Sequence, residues 1–446
     1  MKRILRKLTV TWPLMIFLLL PALTHAEVAV QAWLQCYNGP GNASDQARAA
    51  AVDGSNNVIV TGASATVKYS SGGVPLWTNL YNGGSAYALA VDSNDDVSVT
   101  GSPATIKYSS GGVPLWTNLY TGGTAYAMAV DGSNNVIVTG ASSGDYATVK
   151  YSPAGLPLWT NRYNGPGNGN DRACAVAVDG SNNVIVTGYA YVRAGFPSDD
   201  YDYATIKYSS TGLPLWTNRY SYSAPGNNYD YARAVAVDTS NDVVVAGYSY
   251  DSGSVYHYAT IKYSSAGLPL WTNRYSGSGN NNDILAAVAV DGSNNVIVTG
   301  WSVGSGTTND YTTVKYSSAG MPLWTNRYNG PVNGDDRASA VAVDRSGNVI
   351  VTGYSTGSSG SYDFATIKYI CVPSPVMTCF QSTNGTFQMR VDGVLQPGTL
   401  VIEASTNLST NWAPVFTNTT PTNALFYTDP DAGNFPTRFY RAFQFP

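Results

Sequence analysis

The chain runs to 446 residues, more than one ordinary domain, yet only 12% are charged and the formal net charge is −4 at pH 7. Gly, Asn, Ser, Thr and Tyr stand where surface helices would carry Glu, Lys and Arg, which excludes a helical architecture and points to short strands joined by tight turns. A mildly acidic balance without clustered cations also argues against a nucleic-acid partner, since phosphate contacts need grouped Lys and Arg.

The first 26 residues read as a secretory signal. Lys2, Arg3, Arg6 and Lys7 form a basic start, Leu14 to Leu20 an apolar core, and Thr24-His25-Ala26 a small-residue cleavage site. That core is too short for a bilayer span of roughly 20 residues, so no membrane span is expected after cleavage. Removing these four basic residues from the 24 leaves 20 against 28 acids. The mature protein is expected to be exported (periplasmic, cell-surface or extracellular) and monomeric.

From residue 27 a repeat takes over. Trp33, Trp77, Trp116, Trp159, Trp216, Trp271 and Trp324 occupy equivalent positions, 44, 39, 43, 57, 55 and 53 residues apart. Asp53, Asp92, Asp131, Asp179, Asp238, Asp291 and Asp344 close seven copies of an AVAVD-type run. Four strand-like segments per copy at this period predict an all-β, seven-bladed propeller over residues 27–370. In the fourth copy the innermost strand is Ala175–Asp179, followed outward by Val184–Thr187, Ala204–Tyr208 and Leu215–Tyr220. Small residues suit the crowded axis, and both faces of each sheet are covered by neighbours, which explains the lack of polar alternation. The first copy starts with a lone fourth strand at Ala32-Trp33-Leu34, and the last stops after a third strand at Ile367-Lys368-Tyr369. The N-terminal strand is therefore expected to complete the last blade and leave no open edge.

The motif AVAVDxSxNVxVTGY…DYATIKYxxxGxxLW resembles the bacterial seven-bladed β-propeller repeat family over roughly residues 32–370. The resemblance implies this architecture and carries over no catalytic residue. Beyond Tyr369, residues 371–386 form a Pro-containing joint, and 387–446 read as a small β-sandwich with strands FQMRV, TLVIEAS, APVFTN, ALFYTD and RFYRAF. Its EASTNLS…NW…TDP…FYRAF pattern is similar to C-terminal modules of large exported bacterial proteins. Cys371 and Cys379 bracket the joint at a spacing open to a disulfide in an oxidising compartment. Cys36 and Cys174, in different repeats, read as buried thiols.

Little in the constant parts suggests chemistry. After signal removal His257 is the sole histidine, which disfavours a Ser-His-Asp triad and multi-histidine zinc. In DGSNN, Asp179, Ser181 and Asn183 imitate the start of a calcium loop, but Ala190 stands where a bidentate Glu belongs, so a hairpin turn is the better reading. Lys-Tyr pairs such as Lys207-Tyr208 read as packing and solubility features. No metal or cofactor is expected; a quinone propeller would want an adjacent cysteine pair, which is absent.

The copies differ in their second-to-third and fourth-to-first connections, which share one face of the disc. Binding residues concentrate on variable loops held by a rigid scaffold. Candidates there are Asp199, Asp200, Tyr201, Asp202, Tyr229, Asp230, Tyr231, Arg233, Asp251, His257, Asp335, Asp336 and Arg337. Tyrosine offers a flat apolar body with a polar tip, and carboxylates accept hydroxyl hydrogen bonds, so a glycan or protein ligand fits this composition. The expected function is a non-enzymatic binding scaffold. The alternative is a glycoside hydrolase or polysaccharide lyase using paired acids such as Asp199/Asp202 or Asp335/Asp336.

Overall fold

A computed structural model describes residues 28–446 except 40–44, 63–64, 81–84, 103, 120–122, 194–199, 223–228, 252–254, 278–280, 305–306, 359, 373–375, 382–386, 393–398, 406–411, 420–423, 432–438 and 446. Among these residues every regular element is a strand, and no helix is long and apolar enough to cross a membrane. A compact body spans Gln31–Ile370, and Cys371–Pro446 falls in a second.

The first body contains seven four-stranded antiparallel sheets. In the fourth, Arg172–Val178, Val184–Arg193, Asp200–Tyr208 and Pro214–Tyr220 follow one another in order from the axis outward. In the seventh, Arg337–Val343, Val349–Thr356 and Tyr362–Val372 are completed by Val28–Gln35, the first strand of the chain. The chain is thus a seven-bladed β-propeller closed by its N-terminal strand. The second strand of each blade is buried over its VIVTG-type run because neighbouring blades cover both its faces.

Several constant residues tie each blade to the next. Each tryptophan reaches across: Trp77 Nε1 donates to Ser110 O at 3.1 Å, and Trp216 Nε1 to Ser265 O at 3.2 Å. The receiving turn ends in glycine with φ near +87°, lying against the tryptophan ring, so a side chain at Gly267 would meet both strain and Trp216. Trp324 is the exception: its Nε1, with Asn326 Nδ2, has no partner among the described residues, because blade seven ends without a third-to-fourth turn.

The DGSNN segments are Asx-type hairpin turns. Asp179 Oδ1 accepts from Ser181 N and Asn183 N at 2.9 Å, and Asn182 sits at φ +60°. That left-handed residue has a second task. Asn182 Oδ1 accepts from Gly132 N of the preceding blade at 2.9 Å, and Asn241, Asn294, Asn56, Asn134 and Asp95 repeat the bond. Blade seven has Gly347 at this position, so the circle is interrupted between blades six and seven.

Two expectations are corrected. The lysine of each Lys-Tyr pair is not a surface feature. Lys68, Lys107, Lys150, Lys207, Lys262, Lys315 and Lys368 are buried, and each pairs with its blade's turn aspartate at 2.6 to 2.9 Å. The third strand lies between two blades, so its lysine has no route to solvent, and the aspartate beside it supplies the counter-charge. Nor is Cys36 a buried core thiol: it is exposed just past the outermost strand of blade seven, whereas the Cys174 thiol, on a half-buried residue facing the axis, is buried. The side chains of Cys371 and Cys379 lie outside the described residues.

The second body has two three-stranded antiparallel sheets. Val376–Gln381, Phe387–Asp392 and Ala424–Asp429 form one; Ala413–Asn418, Thr399–Ser405 and Phe439–Phe445 form the other. Met389, Val391, Leu400, Ile402 and Tyr427 share one core.

Candidate ligand-binding site

Each innermost strand carries a β-bulge one turn from the variable-loop face. The register slips between Ala47 and Ala49, Ala86 and Ala88, Ala125 and Ala127, and Ala173 and Ala175. It slips again between Ala232 and Ala234, Leu285 and Ala287, and Ala338 and Ala340. The extra residue leaves the ladder, and its side chain can be aimed elsewhere. The glycine of each VTG run faces the bulge; a Cβ on Gly62 would collide with the Gln46 carbonyl, and one on Gly188 with that of Arg172.

The seven bulged residues converge on the axis. Arg48, Tyr87, Tyr126 and Cys174 come from blades one to four, and Arg233, Ala286 and Ser339 from blades five to seven. Together with Arg172, Ile284, Leu285 and Trp301 they line an open cavity of about 390 Å³. This position alternates between Arg, Tyr, Cys, Ala and Ser in strands whose other positions stay small or apolar, and of the seven only Arg233 was among the sequence candidates. The pairing of a constant glycine with a variable residue opposite it would have revealed the ring.

The lining is asymmetric. Arg48 lies over the Tyr87 ring at 4.7 Å, Tyr87 and Tyr126 are 6.0 Å apart, and Arg172 lies over Tyr126 at 3.6 Å. Arg233 extends this arc, its Nη2 donating to Tyr248 Oη at 2.7 Å. Burial holds the Cys174 thiol up despite the neighbouring Arg233 and Arg172, so it stays neutral.

Beside the mouth, blades four and five form a continuous tyrosine network. Tyr201 and Tyr229 stack at 6.1 Å, Tyr229 and Tyr231 at 6.0 Å, and Tyr201 lies 5.9 Å from Tyr231. Tyr189, Tyr191, Tyr248, Tyr250 and Tyr256 extend it. An isolated parallel bridge between Tyr201 and Tyr229 joins the two blades at this point. The structure therefore brings together Tyr201, Tyr229, Tyr231 and, through Tyr248, Arg233.

The acidic candidates have other surroundings. Asp199 lies outside the described residues. Asp230 is fully buried and accepts from Tyr222 N at 3.1 Å; Asp336, equally buried, accepts from Gly330 N at 2.6 Å and Thr356 N at 3.2 Å. Both belong to a recurring loop staple that Asp171 and Asp283 repeat. Asp335 pairs with Arg337 Nε at 3.0 Å and accepts from Asn309 Nδ2 at 2.6 Å. His257 occupies the place of Asp145, Asp202 and Asp310 in other blades. Its Nδ1 lies 3.1 Å from Asp283 Oδ2 and its Nε2 3.0 Å from Asp251 Oδ2. No group of three or more His, Cys, Asp or Glu among the described residues is placed to hold a metal ion.

Asp200 and Asp202 are both buried, with Arg219 Nη1 3.8 Å from Asp202 Oδ2. Burial, then the Asp200 charge, push the Asp202 carboxyl up to about 6 from its ordinary 3.8. A value raised on folding means that protonation stabilises the fold; this contribution is complete below the unfolded value and is lost as pH rises through the folded one. Burial raises Asp171, Asp230, Asp283 and Asp336 in the same direction. The turn aspartates run the other way. Burial alone would raise Asp179 and Asp291, but their lysines and turn amides pull both below the usual range, so their contribution is lost as pH falls through those lowered values. Tm should therefore rise from about pH 7.5 to about pH 5 and fall below about pH 3.5. Asp202→Asn should raise Tm at the upper pH and flatten the rise; a scan that falls monotonically on acidification would refute this account.

No family model matches the chain, and no curated protein matches it. Among solved structures it is similar to a protein of unknown function from Bacteroides caccae, at 12% identity, TM-score 0.44, covering 67% of this chain and 98% of that one. It is also similar to PorZ, described as an essential bacterial surface component of the type-IX secretion system of Porphyromonas gingivalis, at 11% identity and TM-score 0.46, over 92% of this chain and 60% of that one. A third, the Dos1 propeller, gives 10% identity and TM-score 0.47, over 75% of this chain and 80% of that one. The seven-bladed fold itself rests on the strand order and closure described above.

Proposed function

We propose that the protein is an exported, non-enzymatic binding propeller that takes a glycan or protein ligand on its variable-loop face. The carrying observation is the contiguous tyrosine network of blades four and five, seated beside the longest second-to-third connection, that of blade four. Tyrosine presents large contact area at small cost in side-chain freedom and stacks on sugar rings as readily as on peptide side chains. The basic, then apolar N-terminal segment supports export, and the repeat motif supports membership of the bacterial seven-bladed propeller repeat family. The C-terminal body, similar in motif to modules of exported bacterial proteins, would act as an accessory.

Screening the full chain against a glycan array and by pull-down from culture medium tests this reading. Tyr201→Ala/Tyr231→Ala should weaken any ligand found by at least about tenfold, the scale of a lost aromatic hot spot. Undiminished binding by the double variant would remove the ligand from this platform. The enzymatic reading, a carbohydrate-active enzyme using loop-face acids, has one observation in its favour: the carboxyl of Asp202 at about 6, in the range of a general acid. Asp335 and Asp336 lend it less, one being ion-paired and the other committed to backbone amides.

A further inference from the structure

The axial mouth is chemically unlike the protein around it. The chain as a whole is acidic, with 28 Asp and Glu against 24 Lys and Arg, yet no carboxylate lines this cavity among the described residues. Four arginines elsewhere on this face are ion-paired, Arg162 with Asp145, Arg219 with Asp202, Arg327 with Asp310 and Arg337 with Asp335, while Arg274 lies over Tyr222 and donates to Ser249. Arg48, Arg172 and Arg233 form no ion pair with a described residue. The Nε of Arg172 is buried with no hydrogen-bond partner among the described residues, so any anion in the cavity would have to be met by the terminal nitrogens of its guanidinium.

Ring stacking shapes what these arginines can do. A guanidinium lying over a tyrosine, as Arg172 does over Tyr126 at 3.6 Å, has its face occupied, and Tyr189 also hydrogen-bonds to it, so its remaining N–H groups are what it can offer an anion. Paired N–H groups of a guanidinium are the part that binds a planar oxyanion bidentately. Across the axis the ring residues shrink to Ala286 and Ser339, and Ile284 and Trp301 supply an apolar wall. One side of the cavity thus offers unpaired cations and the other open space against apolar surface.

From this geometry we infer that the axial mouth binds a small organic anion, its carboxylate on the Arg172 and Arg233 side and its apolar body against Ile284 and Trp301. The volume of about 390 Å³ accommodates a molecule of that size. The inference rests on reading the variable-loop face as a binding face, but it concerns a pocket apart from the tyrosine platform.

The test is calorimetric titration of the full chain with phenylacetate, phenylacetamide and inorganic phosphate. Phenylacetate should bind one-to-one and weaken with added salt, while phenylacetamide, which lacks the charge, and phosphate, which lacks the apolar body, should each bind at least about tenfold more weakly. Arg172→Gln should lower phenylacetate affinity at least about tenfold by removing the positive charge of its guanidinium. Ala286→Tyr fills the open side with a side chain that Tyr87 and Tyr126 already carry at the same bulge, so it should fold normally and abolish binding. No phenylacetate binding, equal binding of the amide, phosphate binding as tight as phenylacetate, or undiminished binding by Ala286→Tyr would each overturn the inference. Tyr201→Ala/Tyr231→Ala separates the two readings: it should leave phenylacetate binding intact even where it destroys capture of a larger ligand.

Discussion

Lys315→Met is expected to cost about 3–5 kcal/mol in chemical denaturation, the range for stranding one partner of a buried ion pair. The Lys315 side chain is 1% exposed and its Nζ lies 2.9 Å from Asp291 Oδ2. Methionine fills similar volume, so the loss reports the uncompensated carboxylate and not a cavity. Nor should trading the whole pair for apolar residues restore stability. Asp291 also accepts from Ser293 N and Asn295 N at 2.9 Å, and without it the hairpin turn loses its cap. The seven copies supply an internal comparison. Lys368, whose side chain is 11% exposed, is better solvated, and Lys368→Met should cost less. Equal and negligible losses at both sites would show that water reaches these pairs.

Deleting residues 27–38 should lower Tm by roughly 10 °C or more in a thermal melt of the mature chain. The deletion removes the outermost strand of blade seven and re-exposes the edge of Tyr362–Val372. It also takes away Trp33, whose Nε1 donates to Ser71 O at 3.1 Å and whose ring lies 6.4 Å from that of Tyr69 in blade one. Losing one large aromatic contact typically costs about 3–5 kcal/mol, before the lost ladder bonds are counted. An unchanged melt would mean that the first strand decorates the ring without closing it.

The blades were readable because each strand is marked by its own residues: small ones inside, β-branched next, aromatics outside. Closure was readable from the unequal ends of the array. The buried lysines were not, because a lysine in a strand gives no sign of whether the next blade covers it; only the aspartate one hairpin away hints at a partner. The axial ring was missed for a different reason. A bulge shifts one residue out of the period-two alternation, so Arg48 in an alanine-valine strand looks like an irregularity, and only Arg233 stood out, for its place beside a variable loop. Loop acids such as Asp230 and Asp336 looked like binding groups because composition cannot tell a solvated carboxylate from one that staples its own loop.

Blade seven is built from the first and last strands of the propeller, and intuition would put the weak place there. Yet its boundary with blade one is well fastened, by Trp33 on the rim and by Arg345 N donating to Asn56 Oδ1 at 3.2 Å near the axis. The boundary behind it differs. Between blades six and seven, Gly347 offers no side chain, and among the described residues Trp324 and Asn326 find no acceptor. What remains among the described residues is apolar packing and bonds nearer the variable-loop face: Tyr311 Oη to Ala365 O at 3.1 Å, Asn309 Nδ2 to Asp335 Oδ1 and Thr308 Oγ1 to Gly334 O, both at 2.6 Å, and Asp336 N to Asn309 O at 2.8 Å. On the turn side the ring is a bracelet whose clasp and whose most sparsely tied link are adjacent but distinct: the join between the first and last propeller strands is the clasp, and the sparse link lies one blade before it.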